Sequence, residues 1–551
     1  MSIKKKTKIL LLSVLTEKNA IITEELGICS IASFLEQDGF DVTLVNSTRS
    51  YLDMGKIYEA NADIIGVPMY STTEKVVVEV CTKIKKDNPN IILVMGGYWP
   101  TLYGKQLMET YDIFDYAIMG EGELPFRDLS NAIEYKADAS NIKSLIYRKG
   151  DCVIQNERGG VVEDLDTLPF PRRDLLVNNK LKYAYISTSR GCMANCNFCW
   201  NRKFWNPADK NYWRGRSPEN VIEEIKLLVD KYNVNRYWFI DSSFEDSKNG
   251  KPDRMWAIAQ KIIDEKLTIT YETYFRSEVY KKFTPEKMEL MKKSGLVGVI
   301  FGTESGNADD LRLYGKIATV EDNLNTIKYF RENDIAIDIG FINFNPYSTF
   351  DNLRKNADFL EETVFASVLY YFVERCQITE FSDLYYKVKN DGLLLPTDKM
   401  GCYDYKYINE DIGHLSEYLY YKYHGNEDSI VYFYAKKIGS IIREEFKIVS
   451  YLKRNYGIYD DKIMKAIKKN EETAWELLRE INASNADCFR QLLDMTESKW
   501  NKNEAEKLTE KYWSLQNMKG MSDKLEKNRL SLYLNLNKLG LSPINYFNLN
   551  I

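Results

Sequence analysis

Histidine is almost absent from this chain of 551 residues, which contains only His414 and His424. Chemistry that needs several imidazole groups is therefore not expected. Basic residues are not in excess either, because 75 Lys and Arg stand against 80 Asp and Glu and give a formal net charge of −5. The whole chain thus offers no general electrostatic attraction for nucleic acid or for an anionic membrane.

Long apolar runs are also missing near the start of the chain. The longest early run, residues 9–15, is too short to span a bilayer, and the three lysines before it indicate a solvated start to a strand. The composition is that of a globular protein, with 44% hydrophobic and 28% charged residues. The sequence therefore predicts a cytoplasmic protein of several domains, without a membrane partner.

An α/β rhythm fills residues 1–135, where short apolar runs alternate with helical patterns. Helices are predicted at 24–37 and 73–86. The strands are predicted at 8–15, 41–45, 63–67, 91–95 and 115–118. Because βαβ units build parallel sheets, we expect a Rossmann-like domain whose ligands lie at the carboxyl ends of its strands.

Three further segments follow. Residues 136–181 lose the periodicity, carry a hairpin-turn pattern at 148–151, and are predicted as a linker. Residues 182–389 resume the βα pattern and predict a partial (β/α)6 barrel, and residues 390–551 are mainly helical. The barrel strands are predicted at 182–187, 235–240, 268–274, 298–302, 336–342 and 367–372, and its helices include 218–232, 285–294, 320–333 and 350–362.

Three of the nine cysteines lie directly after the first predicted barrel strand, where Cys192, Cys196 and Cys199 have C-x-x-x-C-x-x-C spacing. Three thiolates can bind three irons of a four-iron cluster and leave the fourth open to a substrate or cofactor. A structural zinc site normally has four protein ligands, and no nearby Cys or His completes one. The motif therefore favours an iron–sulfur cluster over zinc or unligated thiols.

With the aromatic Phe198 just before its third cysteine, this segment resembles the motif of the radical S-adenosylmethionine (SAM) superfamily. The resemblance implies that the three cysteines bind a [4Fe-4S] cluster and that SAM chelates its open iron through its amino and carboxylate groups. One electron from an external donor such as flavodoxin or ferredoxin then cleaves SAM. The resulting 5′-deoxyadenosyl radical abstracts hydrogen from an unactivated carbon.

The resemblance also assigns SAM contacts at the ends of other barrel strands. By position, Asp241, Ser242 and Ser243 contact the methionine amino group, Arg276 pairs with its carboxylate, and Glu304 holds the ribose hydroxyls. The alternative is that these polar residues only cap the helices that follow.

No G-x-G-x-x-G pattern follows the first strand, so the amino-terminal sheet alone does not identify a ligand. The loops after its strands resemble those of the cobalamin-binding branch of the radical SAM superfamily. The residues implied as cobalamin contacts are Tyr70, Ser71, Thr72, Gly96, Gly97, Gly120 and Gly122. The alternative is a relict domain with ordinary turns.

One departure from that branch concerns the lower face of the cobalt. Many such modules carry a D-x-H-x-x-G loop whose histidine ligates cobalt, and this segment contains no histidine. The lower face is then open, bound by water or covered by another side chain, for which Tyr70 is the candidate.

The resemblance, which covers about residues 1–375, implies a cobalamin-dependent radical SAM methyltransferase. It would act on an unactivated carbon of a peptide or other natural-product precursor through a 5′-deoxyadenosyl radical and methylcobalamin. The alternatives are a cyclase or rearrangement enzyme without net methyl transfer, and an iron–sulfur and cobalamin sensor without catalysis. A tRNA-modifying role is disfavoured because no strongly basic stretch is present.

The resemblance does not cover the carboxyl-terminal helices, whose Trp475, Trp500 and Trp513 are predicted either to contact a peptide or to belong to a cap that excludes water. Cys376 and Tyr371 are possible barrel-rim residues, although packing is the favoured role. The remaining late cysteines are scattered, so no auxiliary cluster is predicted.

Overall fold

The structure is a computed structural model that describes residues 7–16, 24–159, 161–178, 183–205, 213–247, 253–397, 400–423, 430–455 and 461–541. The chain divides into two compact units. The first comprises Met1–Met193, Trp200–Trp238 and Asp246–Gly250, and the second comprises Ala194–Cys199, Phe239–Glu245 and Lys251–Ile551.

A seven-stranded sheet forms the core of the first unit. Its strands are β1 (Lys8–Leu15), β2 (Asp41–Thr48), β3 (Ile64–Pro68), β4 (Ile92–Gly96), β5 (Tyr116–Ile118), β6 (Leu145–Lys149) and β7 (Cys152–Gln155). Their order is β2-β1-β3-β4-β5-β6-β7, with β1 to β5 parallel and β6 and β7 antiparallel. The helices of this segment are α1 (Leu26–Gln37), α2 (Met54–Glu59), α3 (Glu74–Asp87), α4 (Tyr98–Thr110), α5 (Glu123–Tyr135) and α6 (Asp174–Asn178).

The residues of β1 show why the centre of this sheet is buried. Seven of its eight residues are buried, and six of them are Leu, Ile or Val. Strands covered on both faces need such continuous apolar runs. The five predicted strands are confirmed to within three residues, and the predicted turn at 148–151 joins β6 to β7, which extend the sheet.

A buried ion triad joins distant segments of the first unit. Arg173 donates to Glu24 Oε2 at 2.6 Å and to Glu224 Oε1 at 2.5 Å, and all three side chains are 1% exposed. Arg216 brings a second guanidinium to Glu224. Because a buried charge without its partner is strongly destabilising, these segments depend on one another for burial.

A second sheet follows, with the strand order β14-β13-β12-β11-β8. The remaining strands are β8 (Ala184–Ile186), β9 (Ser189–Gly191), β10 (Trp213–Gly215), β11 (Arg236–Phe239), β12 (Thr270–Phe275), β13 (Leu296–Glu304), β14 (Ala336–Phe341), β15 (Ile378–Thr379) and β16 (Cys402–Tyr403). β12, β13 and β14 are parallel, whereas β9 pairs with β10, and β15 with β16, as short antiparallel ribbons. The helices of this segment are α7 (Asn201–Trp205), α8 (Pro218–Tyr232), α9 (Asp253–Asp264), α10 (Pro285–Lys293), α11 (Ala308–Leu313), α12 (Val320–Glu332), α13 (Phe350–Glu362), α14 (Tyr370–Val373) and α15 (Asp383–Asn390).

Side-chain caps explain why the helix boundaries of this segment were predictable. Ser217 accepts a hydrogen bond from the backbone of Asn220 before Pro218 begins α8, and Thr349 caps α13 in the same way. Ser and Thr satisfy backbone N–H groups that have no partner inside the helix. The predicted helices 218–232 and 350–362 are confirmed residue for residue.

The sixth barrel strand, predicted at 367–372, is wrong. The structure has a 3₁₀ turn at Phe365–Ser367 and the short helix α14 instead, and the nearby Arg375 forms an isolated parallel bridge with Phe344. Most of this segment is buried, and a short, buried apolar run fits a strand and a helix equally well. The second sheet therefore has five strands within the described residues.

Long helices form the carboxyl-terminal part of the second unit. They are α16 (Glu410–Tyr423), α17 (Ile430–Asn455), α18 (Asp461–Ser498), α19 (Lys502–Trp513) and α20 (Leu515–Lys538). Ile448 and Leu452 of α17 pack with Leu532 and Leu536 of α20, and Val297 of β13 joins this core. None of the described helices is both long enough and apolar enough to cross a membrane.

Candidate functional site

Strands β12 to β14 present two chemically different faces. One face carries buried apolar side chains such as Phe275, Phe301 and Ile339. The other, which we call the polar face, carries Glu272, Tyr274, Gly298, Gly302, Glu304, Asp338 and Gly340. Alternation along each strand places these residues on one side, and the parallel register aligns Gly302 with Gly340.

Glu304 ends β13 in an unusual conformation. Its φ is +64°, and the register with β14 shifts between Gly302 and Glu304. A Cβ on Gly302 would lie 2.9 Å from Glu304 Oε1, and one on Gly340 would lie 3.3 Å from Oε2, so the two glycines make room for this carboxylate. Lys316 Nζ lies 3.5 Å from Oε1 and is almost completely buried. Left-handed backbone at a residue other than glycine is strained and often marks a functional site.

Arg276, directly after β12, is held by two glutamates. Its Nε donates to Glu278 Oε1 at 2.9 Å, and its Nη2 lies 3.5 Å from Glu245 Oε1. Its backbone N–H also donates to Glu245, at 3.0 Å. The predicted partner of the SAM carboxylate thus has an oriented guanidinium.

The predicted Asp241-Ser242-Ser243 group follows β11. Asp241 and Ser243 are buried and Ser242 is exposed. Ser243 donates to Glu245 Oε2 at 2.7 Å, so Glu245 connects this group to Arg276. Two of the predicted SAM contacts are therefore joined through a residue that the sequence motifs did not identify.

The segment with the second and third cysteines docks on the turn after α11. The Asn197 N–H donates to the Tyr314 carbonyl at 2.8 Å, and the Phe198 ring meets the Tyr314 ring edge-on at 5.5 Å. Gly315 has a φ of +67°, and a Cβ there would lie 2.8 Å from Asn197 Oδ1. This turn continues into Lys316, which links the cysteine segment to Glu304 within the second unit.

Burial and charge both act on the thiol of Cys196. Burial raises its pKa, Lys316 and Arg276 lower it, and Glu304 and Glu278 raise it, with a net increase. Cys196 and Cys199 are half-buried. Cys192 lies in the first unit, where the N–H of the following Met193 donates to Asp246 Oδ2 at 2.9 Å.

The three motif cysteines provide the donor set for the implied metal centre. No disulfide joins the cysteines whose side chains the structure describes, and in the same part of the chain no three Cys, His, Asp or Glu residues converge on a single metal position. The three motif cysteines are soft thiolate donors, and a four-iron cluster takes such donors on separate irons. Their chemistry therefore fits the implied cluster.

In the first unit, Tyr70 follows β3 and its hydroxyl donates to Glu25 Oε2 at 3.1 Å. Burial raises the pKa of Tyr70 well above its ordinary value, and Glu25 reinforces this. Ser71 and Thr72 are exposed, and the Tyr70 N–H donates to Thr73 Oγ1 at 3.0 Å. The loop therefore presents two exposed hydroxyl side chains beside a tethered phenol.

The four predicted glycines of the first unit have different surroundings. Gly97 and Gly120 have φ values of +90° and +76°, which favour glycine. A Cβ on Gly122 would lie 2.7 Å from Ile31 Cδ1, whereas one on Gly96 would have no close neighbour nearer than 4.0 Å. Local backbone and packing thus account for three of the glycines, and Gly96 leaves open space at the carboxyl end of β4, as a bulky ligand would require.

Glu121, between Gly120 and Gly122, and Glu123, directly after Gly122, are held by arginines. Arg190 lies 3.1 Å from Glu121 and 2.6 Å from Glu123, and Arg214 also pairs with Glu121. Although burial opposes it, Arg190 and Arg214 hold the pKa of Glu121 below its ordinary value. Arg190 stands two residues before Cys192, so the turn after β5 is tied to the strand that leads into the cysteine motif.

Two family models match this chain, one over the amino-terminal sheet and one over the segment that contains the cysteine motif. A family model described as a B12 binding domain matches residues 12–130, and one described as the radical SAM superfamily matches residues 186–360. The chain therefore carries a B12-binding domain followed by a radical SAM domain. The predicted family is confirmed, and so are the predicted cofactors: a [4Fe-4S] cluster, SAM and cobalamin.

Curated relatives of this radical SAM chain differ in activity. An uncharacterized methyltransferase of Pyrococcus horikoshii is 29% identical over 312 residues, which cover 55% of this chain and 65% of the relative. An anaerobic magnesium-protoporphyrin IX monomethyl ester cyclase of Cereibacter sphaeroides is 26% identical over 312 residues, covering 52% and 47%. The chain thus matches less than two thirds of the length of either relative.

Solved structures share the fold of this radical SAM chain. The cobalamin-dependent SAM radical enzyme OxsB, with aqua-cobalamin and SAM bound, has a TM-score of 0.68 at 19% identity and matches 94% of this chain and 84% of its own. The radical SAM methyltransferase TsrM from Kitasatospora setae has a TM-score of 0.58 at 16% identity, covering 72% and 80%. The predicted α/β fold class with a helical carboxyl-terminal region is confirmed.

Sequence motifs missed several residues near the predicted ones. Lys316 and Glu245 contact Glu304 and Arg276 in the second unit, and neither belongs to a recognised motif. In the first unit, the Tyr98 ring lies 4.6 Å from Trp200 and 4.2 Å from Phe204. The aromatic residue beside Gly97 and the tryptophan after Cys199 were the available signals.

Proposed function

We propose that this chain is a cobalamin-dependent radical SAM methyltransferase that methylates an unactivated carbon. The observation that carries the proposal is the strained Glu304, whose carboxylate lies over Gly302 and Gly340 and meets Lys316, next to the turn that holds the Cys196 segment. A half-buried acid with space beside two glycines suits ribose hydroxyls, and the adjoining thiols suit a cluster.

Each residue has a distinct part in the proposed site. Cys192, Cys196 and Cys199 hold the [4Fe-4S] cluster, and Phe198 packs beside it. The SAM amino group donates hydrogen bonds to Asp241, Ser242 and Ser243, which orient it. Glu245 and Glu278 keep the Arg276 guanidinium in place for the SAM carboxylate.

The first unit is proposed to hold cobalamin at the carboxyl ends of β3 to β5. When bound, the cluster with SAM supplies hydrogen abstraction and cobalamin supplies the methyl group. Ser71 and Thr72 offer exposed hydroxyls, and Gly96, Gly97, Gly120 and Gly122 allow close approach of the backbone. Glu25 fixes the Tyr70 ring through its hydroxyl, and Tyr70 is the proposed side chain at the lower face of the cobalt.

The proposed substrate is a peptide or another natural-product precursor, and the proposed electron donor is a flavodoxin or ferredoxin. Positioning is the main contribution of the protein, since the reacting carbon must lie close to both cofactors.

A second candidate is cyclisation or rearrangement without net methyl transfer. The observation that favours it is the set of anaerobic magnesium-protoporphyrin IX monomethyl ester cyclases among the relatives, at 25 to 26% identity.

The first test counts metals in anaerobically purified protein after reconstitution with iron, sulfide and hydroxocobalamin. About four irons and one cobalt per chain are expected. Cys196→Ala should lose most of the iron, whereas Cys152→Ala, on an exposed cysteine of β7, should keep it. Retention of iron but no cobalt would overturn the cobalamin part of the proposal.

The second test separates the two candidate reactions by their products from SAM. The reconstituted protein receives a reductant, methyl-deuterated SAM and a small-molecule extract of its native host. A methyltransferase forms both S-adenosylhomocysteine and 5′-deoxyadenosine and a product heavier by a deuterated methyl group. A cyclase forms 5′-deoxyadenosine without a gain in methyl mass, and a sensor forms neither SAM product.

A further inference from the structure

Helix α17 lies along the polar face of the second sheet and is held there at three levels. Near its carboxyl end, Arg454 donates to the carbonyl of Leu296, at the start of β13, at 2.5 Å. Closer to the amino end of the helix, Lys447 Nζ lies 2.7 Å from Glu272. One further turn toward that end, Arg443 lies 2.7 Å from Asp338.

These contacts fix the direction of the helix. Lys447 and Arg443 are four residues apart, about 6 Å along a helix, and Glu272 and Tyr274 are two residues apart, about 6.6 Å along a strand. Asp338 is level with Tyr274, because both align with Ile300. The helix therefore runs antiparallel to the strands, and its amino-terminal half extends toward their carboxyl ends.

The face of α17 that touches the sheet continues beyond its last anchor. At 100° per residue, Phe433, Lys436 and Ser440 lie within about 40° of the direction of Lys447. All three are exposed, and Phe433 is 58% exposed although it is a large apolar residue. The sheet thus covers this face of α17 from Arg443 toward the carboxyl end of the helix and leaves it uncovered toward the amino end.

The uncovered residues lie at the level of the SAM contacts proposed above. Ser440 is about 4.5 Å and Lys436 about 10.5 Å beyond Arg443 along the helix. Gly340 is about 6.6 Å beyond Asp338 along β14, in register with Gly302, and Glu304 follows. Because these side chains are exposed, the sheet does not cover α17 at this level.

We propose that Phe433, Lys436 and Ser440 form the substrate-specificity wall of this site, and that it selects a substrate carrying an anionic carboxylate or phosphate beside an apolar body. The proposal rests on the proposed radical SAM function and adds the class of substrate. Lys436 pairs with the anion, Phe433 packs against the apolar part, and Ser440 donates or accepts a hydrogen bond nearer the strands.

The surroundings of Lys436 support this role. No ion pair is described for it, and its near neighbours are the Tyr432 ring, at 4.7 Å, and the Glu374 carboxyl. Burial raises the pKa of Glu374 to about 7, although Tyr370 and Lys436 lower it. At neutral pH this carboxyl is only partly charged, so much of the positive charge of Lys436 is available to a ligand.

The helix supplies its own matched controls. Lys437 is adjacent to Lys436 in sequence but points about 100° away from it and is paired with Glu526 at 2.8 Å. Ile430 is 55% exposed and lies about 60° around the helix from Phe433 and about 100° from the direction of Lys447. Lys436→Met and Phe433→Ala are therefore compared with Lys437→Met and Ile430→Ala.

A binding test uses benzoate and phenyl phosphate as anionic probes and benzamide as the uncharged probe, measured by saturation-transfer NMR on the full-length, cluster-reconstituted chain. One anionic probe should bind at least tenfold more tightly than benzamide, and Lys436→Met should weaken it by roughly ten- to a hundredfold, as expected for a lost charge-assisted hydrogen bond. Lys437→Met should not. The better anion identifies carboxylate or phosphate. Equal binding of all three probes, or equal loss in both lysine variants, would overturn the proposal.

A second readout separates this inference from the proposed function. Reductive SAM cleavage without substrate, followed as 5′-deoxyadenosine, reports the proposed function in the wild type, and it should be unchanged in the controls Lys437→Met and Ile430→Ala. If no variant or wild-type protein cleaves SAM while the probes bind as expected, the proposed function fails and the binding wall stands. If SAM cleavage proceeds and neither wall variant alters probe binding, the wall is wrong and the function stands.

Discussion

Two glutamates, Glu121 and Glu304, occupy similar places in the two sheets and have opposite surroundings. Each ends or follows a parallel strand, and each has glycines close by in sequence. Glu121 is buried against two arginines. Glu304 has one lysine at 3.5 Å, a strained backbone and two glycines that clear space around its oxygens.

The difference teaches how to separate a structural acid from a ligand-binding one. An acid that meets two guanidiniums has its charge fully compensated and stabilises the fold. An acid that keeps a strained conformation beside open space is held for a partner that is not part of the chain. Similar short motifs can therefore have unrelated roles, and four experiments test the distinction.

The largest effect is expected for Glu121→Gln. Removing the charge leaves Arg190 and Arg214 without their shared acid in a buried position, so the free energy of unfolding should fall by about 4 kcal/mol. Urea titration at pH 7 measures this, and the exposed Glu59→Gln is the control. Because the folded-state pKa of Glu121 lies below its ordinary value, its contribution is present at neutral pH and disappears on acidification. A loss below 1 kcal/mol would contradict the structural role.

Glu445 adds a third case to the comparison, a buried acid whose hydrogen-bond partners are the side-chain amides of Asn528 and Asn470. Asn528 donates to it at 3.1 Å, and burial raises its pKa from 4.5 to about 7, against the opposing effects of Asn470, Arg529 and Asn528. The folded state then keeps this proton between about pH 4.5 and 7 while the unfolded state releases it. Stability should fall by about 3 kcal/mol as the pH rises through that window.

Glu445→Gln checks this pH dependence. Unfolding free energies at pH 5, 6, 7 and 8 should show a shallower decline in the variant than in the wild type, whereas the exposed Glu476→Gln should retain the wild-type slope. Parallel curves for Glu445→Gln and wild type would show that this carboxyl does not titrate there.

Glu304→Gln should affect SAM more than the fold. The amide keeps the shape but loses the charge, so SAM affinity should fall about tenfold, as for one lost charge-assisted hydrogen bond. Isothermal titration of SAM into the cluster-loaded protein measures the affinity, with the exposed Glu321→Gln as control. If SAM affinity is unchanged, Glu304 does not contact SAM.

The smallest effects are expected from alanine at a glycine beside each acid. A Cβ at Gly302 would push the Glu304 and Lys316 side-chain ends, so SAM affinity should fall about threefold with a stability change below about 1 kcal/mol. At Gly122 the Cβ would instead press on Ile31, and unfolding should be easier by about 1 kcal/mol without a change in SAM affinity. Thermal melts and SAM titrations on both variants measure these effects. If the two variants change stability and SAM affinity equally, the contrast between Glu121 and Glu304 is wrong.

Local pattern predicted most elements because apolar runs and capping residues act within a few residues. It ended β2 at residue 45, whereas the strand continues to Thr48, where Asn46 to Thr48 pair in register with Ser13 to Leu15. These polar residues adopt strand conformation because the neighbouring strand β1 offers hydrogen-bond partners. Local propensity cannot predict such a partner. The absence of the sixth strand has the same origin, since burial decided between two conformations that the sequence allowed.

The candidate site divides in a similar way. The cysteine spacing and the residues at strand ends are visible in sequence because each belongs to a short motif. Lys316 follows Glu304 by twelve residues, and only the turn after α11 brings the two side chains together. The wall on α17 could not be predicted either, because it depends on which residues of a long amphipathic helix the sheet leaves uncovered.

The ion triad of Arg173, Glu24 and Glu224 also has a consequence for the order of events on the ribosome. Its members are separated by 149 and 51 residues in sequence, and all three are buried. A nascent chain that has exposed β1 to β7 but not α8 still lacks Glu224, one of the two acids that pair with Arg173. Burial of Arg173 against both acids therefore waits for translation of the segment that follows the cysteine motif, and a fragment ending before Glu224 should be less stable than the same residues in the whole chain.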